Sequence, residues 1–138
     1  MEFLSKYSNV VHWLPRISLA AIFIYHGFTK FPMADMMAKM MGMPIMMVYL
    51  LALMELTAGV FIIVGGAGRE TLTRIGGLII ATIMAGAIMM VHINFGWNGV
   101  LVPGVIVDGK VMAQQGVELQ LFILTMGLYF AVKGNDAN

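Results

Sequence analysis

The sequence contains no cysteine. Disulfides, thiolate chemistry and Cys-ligated iron–sulfur or zinc sites are thereby excluded. Charge is scarce as well. Asp, Glu, Lys and Arg make up 11% of the 138 residues, where a soluble domain carries about a quarter. A net charge of +1 and the lack of a basic patch leave no nucleic-acid signature. What is abundant is apolar: 60% of the residues are hydrophobic, and mean hydropathy is +0.90. Runs of about twenty apolar residues mark transmembrane helices. The composition therefore predicts an all-α integral membrane protein, with residues 1–138 forming one domain.

Four spans are expected, over about residues 14–31, 45–64, 75–95 and 117–132. Pro15 suits the first turn of the first span, and Gly42 and Pro44 punctuate the chain before the second. Arg16, His26 and Lys30 do not fit a cleaved signal peptide, so the first helix is expected to remain in the mature protein. With four spans both termini share a side. That side carries Lys6, Arg16, Arg69, Arg74 and Lys133, against Lys30, Lys39 and Lys110 opposite. The positive-inside rule then places both termini in the cytoplasm. In the long third loop, VIVDGKV reads as a short β-hairpin turning at Asp108-Gly109. In the third span Gly77, Ala81 and Ala85 recur every four residues, a spacing that lets helices approach closely within one chain or between copies.

Ionisable residues inside the spans are costly, at about 2.5 to 3.5 kcal/mol each on insertion scales. Such a residue is kept where it faces the bundle interior and has a partner. Glu55 lies roughly 16 Å into the second span by helical rise. Its roles are proton transfer, a hydrogen bond to a bound headgroup, metal ligation, or a structural interhelical bond. His26 and Lys30, four residues apart, share a helix face near the outer end of the first span. His92 lies near the outer end of the third span, and Glu118 opens the fourth on the same side. Their common depth predicts an outward-facing polar pocket of His26, Lys30, His92 and Glu118, with Glu55 below it. Arg16, at the inner end, is expected to snorkel to anionic headgroups or to bind an acidic partner.

Residues 33–47, MADMMAKMMGMPIMM, hold eight of the fifteen methionines. Helical spacing of Met33, Met36, Met37, Met40 and Met41 suggests an amphipathic turn at the outer interface. Thioethers suit Cu(I), but methionine is also an adaptable packing surface. Packing against lipid or a partner is the preferred reading.

Four segments resemble the DoxX family of small four-helix membrane proteins: Arg16 with IFIYHGFTKF, ELTAGVFIIVGG from Glu55, VHINFG from Val91, and GVELQLFIL from Gly116. The resemblance covers residues 16–124. It implies a four-helix bundle in a prokaryotic cytoplasmic (inner) membrane and an association with redox enzymes, often quinone-linked. It carries over Arg16, His26, Gly27, Lys30, Glu55, Gly59, His92, Gly96 and Glu118. The expected role is thus a membrane subunit of a quinone-linked redox complex. His26 or His92 would hydrogen-bond a quinone carbonyl and Glu55 would relay the proton. Lys30, Glu118 and the aromatics Phe23, Tyr25, Phe28, Phe95 and Trp97 would help to hold the headgroup. Two alternatives stand beside it: a non-catalytic assembly or anchoring subunit, and a haem- or copper-binding membrane protein. Expected partners are the lipid bilayer, other subunits of a membrane complex and further copies of the chain.

Overall fold

The computed structural model describes residue 3 and residues 6–99, 106–107, 109–111 and 115–137. Among these a short helix α1 (Ser8–Val11) leads into four long ones: α2 (Trp13–Met41), α3 (Ile45–Gly66), α4 (Glu70–Met90) and α5 (Glu118–Lys133). A 3-10 turn, His92–Phe95, follows α4, and another, Gly134–Ala137, follows α5. Two short strands, β1 (Ile106–Val107) and β2 (Lys110–Val111), pair antiparallel, with Ile106 opposite Val111 and Val107 opposite Lys110. Gly109 has φ 77° there; Asp108, the other expected turn residue, lies outside the described residues.

The helix limits follow local chemistry. Pro15 sits third in α2, where its missing N–H deprives no carbonyl of a partner. Pro32 lies inside the same helix and removes one main-chain bond. The helix nevertheless continues, because Met, Ala and Lys are strong helix formers. The exposed i,i+4 pair Asp35–Lys39, at 3.1 Å, adds a little. The Met-rich segment is therefore the last part of a 29-residue helix, not a separate turn after a span ending at residue 31. Gly42, at φ 62° and ψ 32°, closes it in the left-handed conformation. The third helix begins earlier and ends earlier than 75–95. Past Met90 come Val91, His92, Ile93 and Asn94, all weaker helix formers, and the chain narrows to the 3-10 turn.

Helices adjacent in sequence pack side by side, α2 on α3, α3 on α4 and α4 on α5. Arg16, near the start of α2, reaches the carbonyl of Gly134 just past α5, so both described ends of the chain meet at one end of the bundle. We call this the terminal end and the opposite one the loop end. The core joins Leu19 and Phe23 of α2, Ala58 and Ile62 of α3, Ile80 and Ile83 of α4, and Ile123 and Phe130 of α5. Small residues set the spacing. A Cβ on Gly77 would lie 2.5 Å from the Ala131 amide nitrogen, and one on Gly127 would lie 2.9 Å from that of Ala81. Gly77 and Ala81 thus serve contact within the chain. Outward-facing positions are apolar, among them Leu53, Leu78, Met89, Phe122 and Val132, an exterior suited to lipid and not to water. By length and composition Ile45–Gly66 and Glu70–Met90 are able to cross a membrane.

Candidate functional site

Lys30 and Glu55 form the buried charge pair of the bundle. Lys30 Nζ lies 2.6 Å from Glu55 Oε2, with side chains 10% and 6% exposed. Gly27 makes this contact accessible. A Cβ there would lie 2.8 Å from Leu56 Cγ and 3.0 Å from the Ala52 carbonyl oxygen, so α2 and α3 approach closely just before Lys30. Helical side chains lean toward the N-terminus of their helix. Lys30 lies well inside α2, eleven residues before its end at Met41, and its stem leans back along the helix to place the ammonium on Glu55. Two opposite charges, desolvated together and hydrogen-bonded, replace the isolated carboxyl expected below a separate pocket.

The other three members of that expected pocket go elsewhere. His26 is exposed on the outer surface of α2, and its ring meets Tyr25 edge-on at 5.7 Å. Tyr25 and Phe28 beside it are 68% and 63% exposed. His92 is on the 3-10 turn, half-buried, with Nδ1 2.7 Å from the Gln115 carbonyl oxygen. Glu118 is exposed, and its Oε2 accepts the Gly99 N–H at 2.9 Å. Trp97 contributes its carbonyl to the Glu118 N–H at 3.1 Å, while the residue itself is 63% exposed. Among the described residues no hydrogen bond or ion pair joins His26 to His92, or either to Glu118. Shared depth fixes height along the bundle but not direction around each helix. His26 precedes Gly27 by one residue, about 100° of helical rotation, and that turns it from the packed face to the outside. Among the described residues no group of three or more His, Asp or Glu side chains is placed to hold a metal.

Arg16 neither snorkels nor faces outward. It is completely buried at the terminal end, and each of its five N–H groups has an acceptor. Nε–H donates to His12 Nδ1 at 3.2 Å. Nη1 donates to the Ile62 carbonyl at 3.2 Å and to Thr73 Oγ1 at 3.0 Å. Nη2 donates to the Gly134 carbonyl at 3.4 Å and to Asn135 Oδ1 at 3.1 Å. Thr73 Oγ1 donates onward to the same Asn135 oxygen at 2.8 Å, and Asn135 Nδ2 to the Gly65 carbonyl at 3.1 Å. The Phe130 ring lies 4.6 Å from the guanidinium carbon, a cation–π contact. A buried guanidinium is tolerable only with its donors filled. Here neutral oxygens and one imidazole nitrogen fill them, and all four long helices are tied together.

Thr73, Asn135 and Gln120 were not singled out by sequence. They are neutral polar residues near helix ends, where composition makes them unremarkable. Gln120, in the first turn of α5, is 8% exposed. Its Nε2 donates to Gln115 Oε1 at 3.5 Å, while its own Oε1 is buried without a hydrogen-bond partner among the described residues. On another flank, Arg74, Ile75, Leu78, Leu128, Ala131 and Val132 line an apolar groove of about 310 Å³, which holds none of the expected site residues.

No curated protein and no solved structure matches the chain. The DoxX family model matches residues 12–93, well over half the sequence. That stretch takes in Arg16, His26, Lys30, Glu55 and His92, while Glu118 lies beyond it. This match over more than half of the sequence shows that the chain belongs to the DoxX family, and the bundle with its apolar exterior suits a membrane protein.

Proposed function

We propose that the protein is a membrane subunit of a quinone-linked redox complex in a prokaryotic cytoplasmic membrane. All four long helices cross the bilayer, and both termini face the cytoplasm. The observation that carries this reading is the exposure of His26 on the outer side of α2, one turn from the buried Lys30–Glu55 pair. A quinone moves within the bilayer and reaches a protein from the side. Tyr25 and Phe28 offer it aromatic surface, and the His26 imidazole offers its carbonyl a hydrogen bond. Quinone reduction takes up protons, and quinol oxidation releases them. The Lys30–Glu55 pair, one turn behind His26, is the proton-exchanging group closest along the helix. The chain has no cysteine, and in this proposal the electrons come from or go to a partner subunit.

A second reading, a non-catalytic assembly subunit, draws on a different observation. Arg16, His92 and Glu118 are all engaged inside the chain, as expected of groups that build structure. One experiment separates the two. The protein is purified in mild detergent with its partners, and quinone binding and complex yield are measured for wild type and His26→Gln. Loss of saturable quinone binding at normal yield supports the redox reading. A drop in yield, with no quinone bound by either protein, supports the assembly reading.

A further inference from the structure

On the outer flank of the α4–α5 contact, an apolar groove ends in a cation. Gly77 of α4 and Gly127 of α5 let the two backbones touch. The larger residues just outside that contact, Ile75, Leu78, Leu128 and Val132, are exposed and wall a groove of about 310 Å³. Its two ends differ. At the terminal end Arg74 reaches across from α4, and its Nη1 donates to the Ala131 and Val132 carbonyls. Leu78 and Leu128 lie one helical turn deeper, on α4 and α5 respectively. Arg74 is only partly committed. Its Nε–H and one Nη2 N–H go to a single oxygen, Glu70 Oε1, at 2.8 and 2.6 Å. The two side chains are 41% and 48% exposed, and an exposed i,i+4 pair of this kind is a weak one. The second Nη2 N–H has no acceptor among the described residues. Arg69 and Lys133 are exposed at the same end, so its cations outnumber the acids Glu70 and Asp136.

We infer that the α4–α5 groove binds one anionic phospholipid, its acyl chain between Leu78 and Leu128 and its phosphate at Arg74. This rests on the membrane-spanning part of the reading above and not on its quinone-linked part. The groove matches such a lipid in direction: the charge sits near the end of the bundle and the apolar walls run inward. A planar guanidinium offers N–H donors in the geometry that phosphate oxygens accept. A zwitterionic lipid offsets its phosphate with its own ammonium, whereas an anionic one brings net charge to a rim that is net positive. Basic pockets between spanning helices on the cytoplasmic side hold anionic headgroups in this way, and the proposed orientation puts Arg74 on that side.

The test takes the full chain in lipid-free detergent and titrates it with dioleoyl phosphatidylglycerol or dioleoyl phosphatidylcholine. Native mass spectrometry counts the lipids retained, and the thermal unfolding midpoint reports the stabilisation that binding brings. The wild type is expected to retain one phosphatidylglycerol, at least about tenfold more tightly than phosphatidylcholine. Arg74→Gln is expected to bring phosphatidylglycerol down to the phosphatidylcholine level. Leu78→Trp fills the groove from an exposed position and keeps every charge. It is expected to weaken both lipids while leaving the lipid-free unfolding midpoint unchanged. Glu70→Gln releases the guanidinium and is expected to tighten phosphatidylglycerol. Equal retention of the two lipids by the wild type would overturn the inference. So would a phosphatidylglycerol preference that survives Leu78→Trp, which would put the anion on surface cations away from the groove. A lipid-free dimer that Leu78→Trp splits and phosphatidylglycerol does not would seat a second copy there, and would overturn it too. In each of these cases the chain still needs detergent or bilayer to stay folded, and the membrane-spanning reading stands. A chain that stays folded and monodisperse in water alone would overturn that reading and the inference with it.

Discussion

At the scale of single residues, the buried charges of the spanned core among the described residues are held in two ways. Lys30 and Glu55 neutralise each other, whereas Arg16 is held by neutral acceptors. These arrangements predict different mutational patterns. Glu55→Gln leaves a buried ammonium without its counterion and should lower stability by about 3–5 kcal/mol. The double variant Lys30→Met/Glu55→Leu removes both charges and should lie close to wild type. Thermal unfolding of the three proteins in one detergent decides this, and a single variant no worse than the double would deny the pair its buried character. Arg16→Lys keeps the charge but offers three donors where five acceptors wait, and it loses the planar fork. We expect a loss of at least about 3 kcal/mol, from a broken buried network, seen as an earlier unfolding midpoint. The sequence identifies which charges matter because each is conspicuous in an apolar run. It does not identify their partners. A span expected to end at residue 31 puts Lys30 at its outer end, whereas α2 runs on to Met41 and leaves Lys30 well inside the bundle beside Glu55, and no pattern marks Ile62, Gly134 or Asn135 as acceptors for an arginine.

At the scale of elements, boundaries marked by strong punctuation were legible. The helix of the second expected span begins at Ile45 after Gly42 and Pro44, and the helix of the fourth runs over Glu118–Lys133, within a residue of the expected limits. Boundaries marked only by a fading pattern were not. Residues 33–41 look like a separate amphipathic turn because they are rich in Met and broken from the apolar run by Pro32, yet their helix propensity carries α2 through to Met41. Residues 91–95 look like more of the third span because they are apolar, yet they leave the α-helix and take His92 off the expected face. Contact between elements yields a further prediction. Gly127→Ala pushes a methyl group against α4 and should cost about 1–3 kcal/mol. Gly86→Ala meets open space and should stabilise by about 0.5–1 kcal/mol, since alanine is the better helix former. Unfolding midpoints shifted in opposite directions would confirm that α4 presents a packed face and a free one.

At the scale of the molecule, orientation is the property most open to a direct experiment, because the chain has no cysteine of its own. Lys39→Cys places a thiol near the loop end of α2, and Lys133→Cys places one at the terminal end of α5. In intact cells a membrane-impermeant maleimide should label the first and not the second, and the second should react only after permeabilisation. The reverse pattern would invert the proposed topology. The Arg16 network has a further consequence, in the order of synthesis. Asn135 lies 119 residues after Arg16 and leaves the ribosome long after α2. Until then two of the arginine's donors, those that reach Gly134 and Asn135, have nothing to bind. The first long helix is thus left electrostatically unfinished until the turn after α5 arrives.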